Sequence, residues 1–180
     1  IFAASPSAAW MRKRPVLLAA VCGLALASLG AVSGGAIYGT GYAEAKSILE
    51  GAQLADGYGF FKMGATIVSY LSGIPGGIFA PSLSVGAGFG ALIAKVLPGV
   101  PAGAVIILGM VAYFSGVVQT PITAFVIVME MTDDHGMILP LMAASFICYA
   151  ISRIVCPVPL YQALAQPFLK QAGVMHGGVK

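Results

Sequence analysis

The sequence predicts an all-α integral membrane domain assembled from broken helices of unequal length. Three observations carry that expectation. First, the 180 residues are 59% hydrophobic and 8% charged, with mean hydropathy +0.95, whereas a soluble domain is roughly one-quarter charged. Second, no acidic residue occurs between Asp56 and Glu130, where Lys62 and Lys95 are the only formal charges. Third, glycine and proline repeatedly interrupt the apolar stretches, several of which fall short of the ~20 residues a full span requires. Interrupted helices are tolerated at membrane depth only where other protein or an aqueous cavity satisfies the freed backbone. Transporters use that arrangement to point helix ends at an ion, so the pattern favours an ion or solute pathway.

Taken in order, residues 1–15 read as a cytoplasmic lead-in and as the interior of a longer chain, because Ile1 is not a start methionine. Met11-Arg12-Lys13-Arg14 and the run behind it imitate a signal peptide, but that run is long, glycine-rich and without a clean cleavage site. A retained helix is expected over Val16–Val32, ending at Ser33-Gly34-Gly35. Ala36–Leu54 carries Glu44, Lys46 and Glu50 and reads as a short helix with a loop. Phe60–Leu71 is apolar but short. Ile78–Leu97 follows a Gly/Pro break, and its glycines at Gly86, Gly88 and Gly90 suit close backbone packing more than intrinsic helix stability. Ala102–Val118 is a further apolar segment. Thr120-Pro121 restarts a helix through Met129 that ends near Glu130–Asp134; Met137–Val155 and Leu160–Lys170 complete a membrane domain spanning 16–170, with a cytoplasmic tail at 171–180. Arg12, Lys13 and Arg14 before the first run, and Arg153, Lys170 and Lys180 near the end, place both termini in the cytoplasm by the positive-inside rule. That fits a multi-pass protein of the cell (inner) membrane.

The scattered basic residues lack an aromatic partner face, which argues against nucleic-acid binding. Cys22, Cys148 and Cys156 have neither metal-site nor disulfide-framework spacing and are expected as small buried thiols. No cofactor, metal site or catalytic residue is expected, and the chain does not read as an enzyme.

The most informative stretch is Ser72-Gly73-Ile74-Pro75-Gly76-Gly77-Ile78-Phe79-Ala80-Pro81. Its glycines leave backbone N–H groups free at a helix start, and Pro81 is tolerated in the first turn because its missing donor would be orphaned there anyway. A helix N-terminus carries about half a positive charge and several unpaired donors. Inside a bilayer, where nothing else solvates an ion, such an end is a serious anion site. A packing turn between two helices is the alternative. Glu130 adjoins Thr132, Asp133 and Asp134 and reads as a helix terminus at the aqueous boundary rather than a proton relay, with His135 solvated beside it. Lys62 either snorkels to an interface, pairs inside the bundle, or adds positive potential to an anion path.

These residues carry a resemblance. Gly76-Gly77-Ile78-Phe79-Ala80-Pro81 resembles the GxFxP signature of the CLC chloride channels and chloride/proton antiporters. Ser115-Gly116-Val117-Val118-Gln119-Thr120-Pro121-Ile122-Thr123 is similar to that family's Arg-Ala-Pro-Leu-Thr segment, with Gln119 where an arginine is common. Val126–Thr132 resembles its hydrophobic run ending Glu-Met-Thr, and Ile138-Leu139-Pro140 followed by Pro159-Leu160-Tyr161 matches the remaining order. The resemblance covers about Arg12 to Lys170 and concerns the second half of the family fold.

It implies a CLC-type inverted-repeat fold, second repeat only, with broken and tilted helices. It also implies half of an anion pore, in which Gly77, Ile78, Phe79 and Ala80 present amides to a chloride or similar anion and Tyr161 adds its hydroxyl. A tyrosine O–H donates without adding charge, so the ion is held yet can leave; an interfacial aromatic anchor is its alternative role. The family's Gly-Ser-Gly-Ile-Pro and Gly-x-Glu-Gly-Pro segments belong to the first repeat and do not occur here. Ser72-Gly73-Ile74-Pro75 echoes the former, but it directly adjoins the second-repeat motif, and Ser72 is not assigned an anion role. By the same resemblance the chain works as a homodimer in the lipid bilayer with a missing N-terminal repeat, and Ile138, Leu141 and Met142 are candidates for subunit contact. The rival functions are a non-conducting membrane assembly fragment and a secondary transporter of another anion.

Overall fold

The computed structural model describes residues 15–165, apart from 53, 54, 56, 73–75 and 164. Most of the expected lead-in, the tail, Arg12, Lys13, Arg14, Lys170 and Lys180, the larger part of the expected Leu160–Lys170 helix, and Gly73-Ile74-Pro75 therefore lie outside the described residues. Within them the chain is helical, with no strand. Seven α-helices follow one another: α1 (Pro15–Val32), α2 (Tyr42–Leu49), α3 (Tyr58–Leu71), α4 (Phe79–Val96), α5 (Ala102–Val118), α6 (Pro121–Thr132) and α7 (Ile138–Val155). A 3₁₀ turn, His135–Met137, leads into α7, and a further helical turn begins at Leu160.

Local sequence accounts for these boundaries. Pro101 and Thr120 stand as N-caps of α5 and α6, and Pro121 opens α6 at a position where a missing N–H costs nothing. Pro140 is likewise confined to the first turn of α7. Two helix ends adopt left-handed backbone without glycine: Gln119 closes α5 at φ 57°, and Asp133 closes α6 at φ 51°. Among the described residues, the α4 stretch and the stretch from His135 through α7 are long and apolar enough to cross a membrane.

The centre of the domain is the α4–α5 pair. A β-carbon at Gly86 would stand 2.6 Å from the Gly109 carbonyl oxygen, and one at Gly90 would stand 2.7 Å from the Ile106 Cα. Gly88 faces Gly59 of α3 in the same way, 2.8 Å from its Cα. The glycines of α4 thus let two neighbouring helices touch it backbone to backbone, the role the sequence assigned to them. Around this contact a continuous core gathers Leu83, Ala87, Ile106, Met110, Val111, Phe114, Val128 and Leu141.

The contacts of α7 with α5 and α6 are polar as well as apolar. Ser115 Oγ donates to the Ser145 carbonyl (2.8 Å), Ser145 Oγ to the Pro121 carbonyl (2.7 Å), and Ser152 Oγ to the Gly116 carbonyl (2.5 Å). Such hydrogen bonds hold helices together where lipid offers no hydrophobic drive for association. The cysteines depart from expectation. Cys22 is buried, but Cys148 is only partly covered and Cys156 is exposed, because Cys156 lies one residue past the end of α7, where the chain leaves the core.

Candidate functional site

The start of α4 is the structural counterpart of the glycine-proline break. Ile78 is its N-cap, no side chain caps the helix, and Pro81 occupies the third helical position. The first-turn amides of an α-helix have no acceptor within the helix, so this end presents donors and the positive end of the dipole. Ile78 is buried, while Phe79 packs edge-on against Phe114 of α5, with ring centroids 4.8 Å apart and planes at 75°. Gly76 and Gly77 are exposed, and a β-carbon at either would meet nothing within 4 Å. Neither adopts the left-handed backbone that favours glycine. What glycine provides here is open access to the chain.

That open space is one wall of a cavity of about 200 Å³, bounded by Gly76, Gly77 and Pro81 on one side and by Lys62, Thr66, Ser69 and Tyr70 of α3 on the other. A larger hollow of about 290 Å³ at the opposite end of α4 is mostly apolar, with Tyr58 and Lys95 as its polar members, and includes no residue of the motif. The smaller cavity is the one that Gly76, Gly77 and Pro81 of the motif line.

Lys62 is held inside the bundle by backbone carbonyls and does not snorkel to an interface. Its side chain is 2% exposed, and its Nζ donates to the carbonyls of Ile37 (2.7 Å) and Gly39 (2.9 Å), with Tyr38 O at 3.5 Å. These carbonyl dipoles solvate the ammonium without neutralising it, and no carboxylate among the described residues forms an ion pair with it. Glu44 acts on it only through space. Next to it, Tyr58 and Ser84 share a buried hydroxyl–hydroxyl hydrogen bond of 2.5 Å. The Gly41 Cα fits over both groups: a β-carbon there would collide with Ser84 Oγ and lie 2.7 Å from Lys62 Cε.

Tyr161 is 50% exposed on the helical turn that begins at Leu160. On the motif side, the Tyr70 hydroxyl donates to the Gly76 carbonyl at 3.4 Å. Of the residues expected at a subunit contact, Leu141 is fully buried in the core of its own chain, whereas Ile138 and Met142 are partly exposed and retain surface to offer a second copy.

Glu130 is exposed near the end of α6, and the His135 Nε2 stands 3.5 Å from the Asp133 carboxylate in an exposed turn. Both placements agree with an aqueous boundary. Sequence reasoning missed Tyr70 and the partners of Lys62. The signal for them was present: Tyr58, Lys62, Thr66 and Ser69-Tyr70 form a polar stripe at helical spacing along an otherwise apolar segment.

A family model described as "Voltage gated chloride channel" matches residues 2–153. Among curated proteins, the chain is 40% identical over 113 residues to the H(+)/Cl(-) exchange transporter ClcA of Yersinia pestis bv. Antiqua (strain Angola), covering 59% of this chain and 24% of that protein. It is 38% identical over 111 residues to the protein of the same name in Vibrio vulnificus (strain YJ016), covering 58% of this chain and 24% of the relative. The chain therefore spans about a quarter of the length of the curated relatives it matches.

Proposed function

The chain belongs to the voltage gated chloride channel family, and on that premise we propose that it is the C-terminal inverted repeat of a chloride-transporting membrane protein, completed by an N-terminal repeat. Membership of that family supports a role in transport rather than catalysis. The relatives named as H(+)/Cl(-) exchange transporters favour proton-coupled exchange over passive conduction.

The observation that carries the reading is the uncapped start of α4, opening through Gly76 and Gly77 onto a cavity that the buried Lys62 also lines. A helix N-terminus and a cation facing one hollow make it hospitable to an anion and hostile to a metal cation. In this reading, Gly77, Ile78, Phe79 and Ala80 supply the amide end and Tyr161 supplies a neutral donor. Both act by electrostatic coordination of a dehydrated halide. The half-exposed Tyr161 and the open glycine wall are the surfaces that the N-terminal repeat would close, in a homodimer of the cell (inner) membrane with the C-terminus in the cytoplasm.

The test is chloride flux in liposomes carrying an internal pH dye, with this chain alone and together with its N-terminal repeat. Flux that requires both parts and is lowered by Phe79→Ala and Tyr161→Phe is the expected result, with coupled proton movement marking exchange. No flux in a folded, inserted assembly would instead favour a non-conducting assembly fragment. Flux of an organic anion in place of chloride would favour the other rival.

A further inference from the structure

The two groups proposed to meet the anion lie on separate elements, the amide end of α4 and the turn carrying Tyr161. Their relative placement must be held by something else. We propose that Gln119 is the positioning residue for the Tyr161 hydroxyl and that α5 is the ruler between the two elements; the proposal rests on the reading that Tyr161 contacts the anion.

Gln119 closes α5, is 9% exposed, and holds a left-handed backbone that a non-glycine residue adopts at some cost. Its Nε2 donates to the Cys156 carbonyl at 2.7 Å and to Ser152 Oγ at 3.1 Å. The first contact grips the residue directly after α7. Ser152 Oγ in turn donates to the Gly116 carbonyl, so the last turn of α7 is tied to the last turn of α5 from both sides.

The amide orientation is fixed by chemistry. Turning it over would set Oε1 against the Cys156 carbonyl, acceptor to acceptor. In the orientation adopted, Oε1 is buried without a partner. A buried acceptor left unpaired is rare and calls for an explanation. The clamp on Cys156 supplies one, because the donor is used where it fixes the chain rather than where it would satisfy the whole amide.

Between Cys156 and Tyr161 the sequence is Pro157-Val158-Pro159-Leu160. Each proline locks its φ, and the following turn is closed by the Ala163 N–H donating to the Pro159 carbonyl at 3.0 Å. Few torsions are left to absorb a shift at Cys156, so the clamp is transmitted to Tyr161. At the other contact, Phe114 of α5 packs on Phe79 in the first turn of α4. Phe114 and Gln119 are about one and a half helical turns apart. One rigid helix thus sets the distance between both donors.

The test uses the complete transporter, with chloride affinity measured by calorimetry and flux in liposomes. Gln119→Met keeps the length of the side chain and removes the donor. It is expected to weaken chloride binding about fivefold, the equivalent of one hydrogen bond, and to add nothing in a Tyr161→Phe background. Loss of additivity is the readout that a general packing role would not give. Unchanged affinity in Gln119→Met, or effects that simply add to those of Tyr161→Phe, would overturn the proposal. If Gln119→Met does not assemble, Ser152→Ala loosens the same clamp, and the same cycle with Tyr161→Phe decides the matter by the same criteria. Tyr161→Phe without any effect on its own removes the tyrosine from the site and the proposal with it. That outcome is distinct from one in which Tyr161→Phe weakens binding and Gln119→Met does not.

Discussion

Replacing Lys62 by methionine tests the buried end of the cavity wall. The change keeps the unbranched stem and deletes the ammonium. Two well-formed donations disappear, to Ile37 O at 2.7 Å and Gly39 O at 2.9 Å, and the 3.5 Å contact to Tyr38 is too long to count for much. Hydrogen bonds from a charged donor contribute about 1.5–3 kcal/mol each, giving a gross loss of about 3–6 kcal/mol. Against this, methionine escapes the desolvation penalty of a buried ion, several kcal/mol that the carbonyls only partly return. What remains is the cost of two carbonyls without donors, about 1–3 kcal/mol apiece. The net expectation is a loss of about 3 kcal/mol, concentrated in the 37–41 turn. Equilibrium unfolding of the complete transporter in detergent measures the total, and hydrogen exchange at Tyr38–Gly41 locates it. Chloride affinity should fall in parallel, because the cavity loses its positive charge. A methionine variant within about 0.5 kcal/mol of the parent, a change ordinary for an inconsequential surface substitution, with unchanged protection in the turn, would refute the reasoning.

Three further outcomes follow from distances in the fold. Gly90→Ala sets a methyl 2.7 Å from the Ile106 Cα, a backbone atom that cannot swing aside, so thermal unfolding should show a loss of about 1–3 kcal/mol from overpacking; Gly116→Ala, whose methyl meets nothing within 4 Å, should gain about 0.5–1 kcal/mol of helix stability instead. Ser84→Ala leaves the Tyr58 hydroxyl without its 2.5 Å partner and should cost about 1–3 kcal/mol; adding Tyr58→Phe should recover part of that loss, which a denaturation double-mutant cycle would detect. A water-soluble maleimide followed by mass spectrometry should label the exposed Cys156 and spare the buried Cys22; equal labelling of both would contradict their placement.

The helices were legible because their punctuation is local. Ala102–Val118 was bounded by Pro101 on one side and Gln119-Thr120-Pro121 on the other, and the fold keeps those limits. Where a boundary lacks such a signal, the sequence ran short: α3 begins at Tyr58 rather than Phe60 because Gly57 serves as its N-cap, and the α6 helix persists beyond Met129 to Thr132, whose hydroxyl bonds back to the Val128 carbonyl at 2.8 Å. The helix start behind Gly76 and Gly77 was legible, since helix starts and glycine access depend on neighbours in the chain. Lys62 was not, because its acceptors lie 23 to 25 residues earlier in a turn that hydropathy does not reveal. Leu141, a candidate for subunit contact by resemblance, is buried in its own chain, and an apolar side chain facing lipid and one facing the core read alike in sequence. Cys156 went astray for a similar reason: the apolar pattern of α7 runs straight up to it, while the helix ends at Val155.

The backbone contact between α4 and α5 has an electrostatic consequence. Side chains can rotate or compress, but peptide groups meeting at Gly86, Gly90 and Gly109 have no slack. The dipole of α4 is therefore mounted like a fixed electrode, its field set once when the chain folds. If an ion binds at that end as proposed, it need not spend energy aligning the donors that receive it, because a preorganised dipole incurs no reorganisation at the moment it acts. On the proposed reading, whatever moves during a transport cycle moves past a stationary charge.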